Sequence, residues 1–387
     1  MRVLVALDKF KDSMSAGSAC DAVVSAIAAA RGGWVLDPCP LTDGGEGFCG
    51  ILARAAGGTE HPVRVTGPRG AKVSAPVGLV PVGRIPERAR ALLGNPPAGR
   101  GAMAAVIEMA TASGLAMLPA SERDLTWASS MGTGELIAAA AAAQAAFIIL
   151  GVGGSATHDL GLGALGALGV RCEGAAGESL NPLVPAEWAF LSRLVGRPRP
   201  LPPLFLACDV ANPLLGERGA LAVYGPQKGL KPLDAANLEA GTGRVAALVC
   251  RHFGRPPELA MEPGAGAAGG IGFGLMAALG AAIVPGFDLV SSWTDLDERI
   301  SAADMVVTGE GRFDDSSLSG KGPGTVACRA LAQGKLVHVF AGTIAVSQRV
   351  PGLIVHQITP PTMPLEEALA AAPALLSESV HQAFGEG

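Results

Sequence analysis

Charge is scarce in this sequence. Only 16% of its 387 residues are Asp, Glu, Lys or Arg, the formal net charge is −5, and lysine occurs only at positions 9, 11, 72, 228, 231, 321 and 335. A mildly acidic chain without a basic stripe carries no electrostatic footprint for nucleic acid, which is excluded as a partner. Long apolar runs are also missing. The N-terminal MRVLVALDKFKD turns polar at Asp8 and Lys9, after fewer apolar residues than the ~7–15 of a secretory leader. The longest apolar stretch, 136–152, is mostly alanine and contains Gln144. It falls short of the ~18–20 strongly apolar residues that span a bilayer, so no membrane partner is expected. Seven scattered cysteines include no C-x-x-C, and the six histidines form no ligand-spaced pair. Reduced thiols in a cytoplasm fit that pattern better than a disulfide framework or a zinc site.

Two nucleotide motifs are absent or misplaced. No G-x-x-x-x-G-K-[ST] occurs, because Gly320-Lys321 is followed by glycine, which disfavours a Walker-type ATPase. GAGAAG at 264–269 fits G-x-G-x-x-G, but its lead-in RPPELAMEP is not a strand, so a dinucleotide fingerprint and a dehydrogenase are disfavoured. A glycine-rich loop that hugs a phosphate, or packs tightly on a neighbour, is the better reading.

What is present describes a globular chain. Apolar residues make up 49%, enough to bury a large core despite 54 glycines and 29 prolines. At ~150 residues per domain the length suggests two or three domains. Short aliphatic runs at 3–7, 104–109, 146–153, 204–210, 305–311 and 336–342 end at Gly-rich or acidic turns, as buried strands do. Between them, 15–31 reads as a helix capped by Ser13 or Ser15, and 134–147 as an alanine-rich helix. The alternation implies an α/β protein with a largely parallel sheet and ligands beyond the carboxyl ends of its strands. Segments 83–103 and 191–203, rich in Pro and Arg, read as solvated loops. Lys9-Phe10-Lys11-Asp12-Ser13 and Arg312-Phe313-Asp314-Asp315-Ser316 share the form basic, Phe, x, Asp, Ser. Equivalent loops after two strands of one sheet would explain the match, and would bring the chain ends into one domain.

The polar residues gather in a few loops. Five of the lysines lie among Gly, Pro, Ser or Asp, where a compact point charge can meet phosphate. In LTDGGEGF, 41–48, Asp43 and Glu46 form a capping box. That leaves Gly44-Gly45 unexplained unless backbone approaches something closely there. LGVGGSATHDLGLG and CDVANPLLG each put a strand end onto a carboxylate, Asp159 and Asp209. Amides of the Gly-Ser-Ala-Thr turn suit an anion and such carboxylates suit Mg²⁺, while His158 reads as structural. VVTGEGRFDDSSLSGKGPGTVA, 306–327, is the densest polar cluster and follows a buried strand.

Together these motifs resemble the bacterial glycerate kinase type I family. The blocks that carry the resemblance are, in order, ALDKFKDSMSA, PLTDGGEGF, VTGPRGAKV, IEMATASGL, SSMGTGELI, GVGGSATHDLGLGALGALGV, ACDVANPLLGERGA, YGPQKG, PGAGAAGGIGFGLMAALGA and VTGEGRFDDSSLSGK. It implies ATP- and Mg²⁺-dependent phosphorylation of D-glycerate to 2-phosphoglycerate by a cytoplasmic monomer or homodimer. It also implies two α/β domains: a Rossmann-like one from 1–60 with 288–387, and an inserted one at 61–287, with the active site in the cleft between them. Where the family usually carries Asn-Asp-Gly-Gly, this sequence has His158-Asp159-Leu160-Gly161.

Phosphoryl transfer needs a positioned carboxylate, metal ligands and cations around the moving group. On this reading Asp43 or Asp209 deprotonates the hydroxyl and Asp209 and Asp159 hold Mg²⁺. Lys9 and Arg312 act on the reacting groups. Lys11, Ser13, Glu310 and Asp159 bind glycerate, while Gly153, Gly154, Ser155, Gly264, Gly266, Gly269, Lys228 and Lys321 hold ATP. Rivals are a kinase of another small hydroxy acid, phosphorylation at the 3-hydroxyl, and a non-catalytic sensor.

Overall fold

Every apolar run read as a strand becomes one: Arg2–Leu7, Met103–Glu108, Ile148–Gly151, Leu204–Ala207, Met305–Asp314 and Leu336–Ala345. The structure, a computed structural model, describes residues 1–181, 183–319, 322–346 and 350–385. Its chain divides into two units, Met1–Asp43 with Val290–Gly387, and Gly44–Leu289. Residues 44–60, expected with the chain ends, group with the second unit. Their helix Phe48–Ala55 packs on the strands Lys72–Pro81 and Met103–Glu108 through Phe48, Cys49 and Leu52, all fully buried.

The first unit is a five-stranded sheet in the order Leu353–Gln357, Leu336–Ala345, Met305–Asp314, Arg2–Leu7, Val35–Pro38. All its pairings are parallel. Every residue of Arg2–Leu7 after Arg2 is buried, as expected of a strand covered on both faces. Val3, Val5 and Leu7 share a core with Ala19, Val23 and Ile27 of helix Ala16–Ala30, and with Leu376, Val380 and Phe384 of helix Leu365–Gly385. Ser15 caps the first of these helices, accepting from the Ser18 amide at 3.1 Å. The repeated basic-Phe-x-Asp-Ser pattern falls at the ends of adjacent strands, with Leu7 opposite Gly309 and both Phe10 and Phe313 buried.

A histidine pair sits within this sheet. His338 Nδ1 and His356 Nε2 lie 3.0 Å apart, and Phe340 and Phe384 pack against the rings. Burial, then the neighbouring imidazole, lowers the His338 pKa to about 4, and burial lowers that of His356. The unfolded chain, with ordinary histidines, binds more protons below pH ~6.5, so stability is full above that value and is lost as pH falls toward 4. At pH 5 the His338 contribution amounts to about 2 kcal/mol. The urea midpoint is therefore expected to drop between pH 7 and 5, and less so in His338→Gln.

The second unit holds a six-stranded sheet in the order Ala282–Val284, Leu204–Ala207, Ile148–Gly151, Met103–Glu108, Lys72–Pro81, Thr59–Thr66. The first four strands are parallel and the last two antiparallel. That hairpin, closed at Gly67 and Gly70, was not among the apolar runs because its strands are half exposed and mix polar with apolar residues. The 83–103 segment, read as a loop, contains the short helix Glu87–Leu92, anchored by buried Ile85, Ala89 and Leu93. Among the described residues no helix is long and apolar enough to cross a membrane.

Candidate active site

In the first unit the strand order reverses between Arg2–Leu7 and Met305–Asp314, the place where open α/β sheets bind ligands at their carboxyl edge. Asp8 leaves the first strand there, its amide donating to the Gly309 carbonyl at 2.9 Å, and Glu310 continues the second. A cleft of about 680 Å³ opens at this edge, and Lys9, Lys11, Ser13, Glu310 and Arg312 all line it together with Asp8. Five residues from sequence positions some 300 apart thus share one cavity. Ser13 donates its hydroxyl to the Leu369 carbonyl at 2.8 Å, and exposed Arg312 pairs with Asp314 at 2.9 Å. Lys321 lies outside the described residues.

The acids of this edge are perturbed. Burial, then the negative charge of Asp43 and, to a lesser degree, Glu310, raises Asp8 to about 7, against the opposing Lys9 amide and ammonium. Burial raises Glu310 to about 7, opposed by a hydrogen bond to Ser317. Among the described residues the buried Glu310 Oε1 has no hydrogen-bond partner. Asp43 itself is exposed. Asp8 was missed by sequence reasoning, although it carries the same signal that singled out Asp159 and Asp209: a carboxylate at the end of a buried strand.

In the second unit the predicted polar residues are engaged by other groups of the protein. Asp159 is fully buried. Its Oδ2 accepts from the Ser130 amide and hydroxyl, both at 2.7 Å, and from the Gly163 amide at 3.2 Å, while its Oδ1 accepts from the Gly161 amide at 3.1 Å. Lys228 is buried and donates to Ser155 Oγ at 2.7 Å and the Thr157 carbonyl at 2.8 Å, and burial lowers its pKa to about 7. It ties the turn Pro226–Lys228 to the 153–159 loop. His158 Nε2 lies 3.0 Å from Thr242 Oγ1, whose own proton goes to the Leu238 carbonyl at 2.8 Å. The imidazole therefore donates from Nε2. Burial, then Lys228, lowers its pKa to about 3, so it is a neutral structural donor. Asp209 follows the strand Leu204–Ala207 and accepts from the Phe287 amide at 2.8 Å.

The glycines of both loops answer to packing. A Cβ on Gly44 would stand 2.7 Å from the Ala207 carbonyl oxygen, and one on Gly153 would stand 2.7 Å from Gly45 Cα. The Gly153 amide donates to the Gly44 carbonyl at 3.0 Å. Backbone does approach closely at Gly44-Gly45, but what it approaches is a strand end. The expected capping box is replaced by Glu108, which accepts from the Gly47 and Cys49 amides at 3.3 and 2.8 Å. The space beside Gly154 is taken by Glu46, whose Oε1 would lie 2.9 Å from a Cβ there. In 264–269, a Cβ on Gly264 would strike Ile283, one on Gly266 the Pro213 carbonyl, and one on Gly269 the Thr157 carbonyl. Close contact with protein accounts for glycine at these positions.

A family model described as the glycerate kinase family matches residues 3–385. The chain belongs to the glycerate kinase family. It is 36% identical to a glycerate kinase of Halalkalibacterium halodurans over 97% of this chain and 96% of that protein. It is also 36% identical to a glycerate 2-kinase of Escherichia coli K12, over 89% and 86%. A crystal structure from Salmonella typhimurium LT2, provisionally named glycerate kinase 2, superposes with a TM-score of 0.73 at 33% identity, covering 100% of this chain and 96% of that one. Within a glycerate kinase chain, His158 and Leu160 are accommodated by local structure. Leu160 holds φ 54°, a left-handed conformation costing a non-glycine residue ~1–2 kcal/mol, and its side chain is fully buried.

Proposed function

We propose that this chain transfers the γ-phosphoryl group of ATP to the 2-hydroxyl of D-glycerate, giving 2-phosphoglycerate and ADP in a cytoplasm. Membership of the glycerate kinase family supports the reaction class. The observation that carries the reading is the cleft at the first sheet's carboxyl edge, where Lys9, Lys11 and Arg312 stand beside Asp8 and Glu310. The cations suit a substrate carboxylate and the transferring phosphoryl group, and the acids suit a hydroxyl that must lose a proton. Six of the seven cysteines, all but Cys328, are buried, and their scatter without a C-x-x-C is in keeping with a reducing compartment.

Mg²⁺ takes oxygen ligands, usually one or two carboxylates completed by phosphate and water. Among the described residues no group of three or more His, Cys, Asp or Glu is arranged to hold a metal. Asp209, a partly buried carboxylate just past a strand end, has the chemistry to hold the ion. Asp159 does not, because four donors already surround its buried oxygens. Bound magnesium would neutralise charge on the β- and γ-phosphates. A second reading is a kinase of another small hydroxy acid, because the same cations and acids of the cleft would serve any carboxylate that carries a hydroxyl.

One experiment separates these readings. Purified protein, ATP and a panel of hydroxy acids are followed by ADP formation and ³¹P NMR of the product. Turnover confined to D-glycerate with phosphate on the 2-hydroxyl is the expected result; preference for another acid would replace the first reading by the second. In the same assay Arg312→Ala should raise KM for D-glycerate tenfold or more, since a hydrogen bond to a charged group contributes ~1.5–3 kcal/mol.

A further inference from the structure

We propose that Asp8 takes the hydroxyl proton of glycerate as the phosphoryl group is transferred, an inference that rests on the glycerate kinase reading above. Asp8 enters the cleft at the reversal of strand order, in the same wall as Lys9, Lys11 and Arg312. Its Oδ1 accepts the Lys9 amide at 2.7 Å, which fixes the carboxyl and leaves the proton to Oδ2, the oxygen this amide does not engage. The charged groups that act on it are Asp43 and Glu310, which disfavour its negative charge, and Lys9, which favours it. Asp43 is exposed and Glu310 is tied to Ser317. With a pKa held near 7 by burial and these neighbours, Asp8 is the acid of the cluster matched to proton transfer at neutral pH.

In the step itself the glycerate hydroxyl oxygen bonds to the γ-phosphorus as the bond from that phosphorus to the β,γ-bridging oxygen breaks. ADP departs with the electron pair, and the hydroxyl proton passes to Asp8 Oδ2 and then to solvent. Because the carboxylate is the competent form, the rate should fall as pH drops through about 7.

The test is Asp8→Asn assayed with D-glycerate and ATP. Expected are a kcat lowered by ~10²–10⁴-fold, KM values within about threefold of wild type, and loss of the acid limb of the kcat/KM profile. Asp8→Glu should retain more activity than Asp8→Asn. The thermal midpoint of Asp8→Asn at pH 8 should equal or exceed that of wild type, since it removes one of three mutually repelling acids. If Asp8→Asn does not fold, the displaced acid limb of Asp8→Glu serves as the readout. A kcat near wild type, an unchanged acid limb, or an effect confined to KM would overturn the assignment. Failure of the wild type itself to phosphorylate D-glycerate would remove the glycerate kinase reading instead, which separates the two failures.

Discussion

Asp159→Ala is expected to cost the second unit about 3–5 kcal/mol, enough to lower its urea midpoint severely or abolish its folding. The carboxylate accepts from Ser130 twice and from Gly161 and Gly163 once each, inside a fully buried site. Removing it strands every one of these donors, at ~1–3 kcal/mol for a buried group left unsatisfied. The Ser130 hydroxyl in turn accepts from the Ala164 amide, so the loss spreads to the start of helix Leu162–Ala167. Asp159→Asn keeps one acceptor oxygen and should cost less. A magnesium ligand would behave differently: the variant would stay folded and need more Mg²⁺ for activity. Denaturation of the two variants, alongside a magnesium titration, distinguishes these outcomes.

Asp209→Asn should lower kcat by ~10²-fold or more while the fold survives. Its amide oxygen can still accept from the Phe287 amide, so the start of helix Gly286–Trp293 keeps its anchor. What disappears is the negative charge that, on the proposed reading, would hold a magnesium ion. Single-turnover rates over a range of Mg²⁺ concentrations check this. A rate near that of the wild type would take Asp209 out of the machinery. Paired with Asp159→Ala, the experiment asks which of two strand-end acids serves chemistry and which serves the fold. Sequence reasoning placed both at a metal, because each stands in the turn after a buried apolar run. They differ only in what surrounds them: Asp159 meets four donors and Asp209 keeps part of its surface in solvent.

The same distinction runs through the lysines. Lys9, Lys11 and Lys228 read alike in the sequence, as rare cations in glycine-rich loops. In the structure Lys9 and Lys11 line the cleft, whereas Lys228 is a buried strut between Ser155 and Thr157. Nothing in the local pattern YGPQKG tells that its lysine points inward, because the acceptors lie some 70 residues away. Glu108 is the converse case. It passed as the end of a strand, and it is the cap of a helix almost 60 residues earlier.

The sequence by itself determined the α/β class, six of the strands, the boundaries of the first helix and the carboxyl-edge loops in which chemistry had to be sought. Those features follow from periodicity, caps and turn residues within a few positions of one another, which short-range physics governs. The pattern shared by Lys9–Ser13 and Arg312–Ser316 pointed to chain ends in one sheet, although Arg312–Asp314 extend the strand Met305–Asp314 where Lys9–Ser13 follow theirs. Only the tertiary structure decided which scarce charges are buried. The cost of desolvating an acid or an ammonium depends on partners brought from distant segments, and the pairings Asp159 with Ser130, Lys228 with Ser155 and Glu108 with Cys49 leave no local trace. Scarcity of charge drew attention to the right loops; packing decided what each charge in them does.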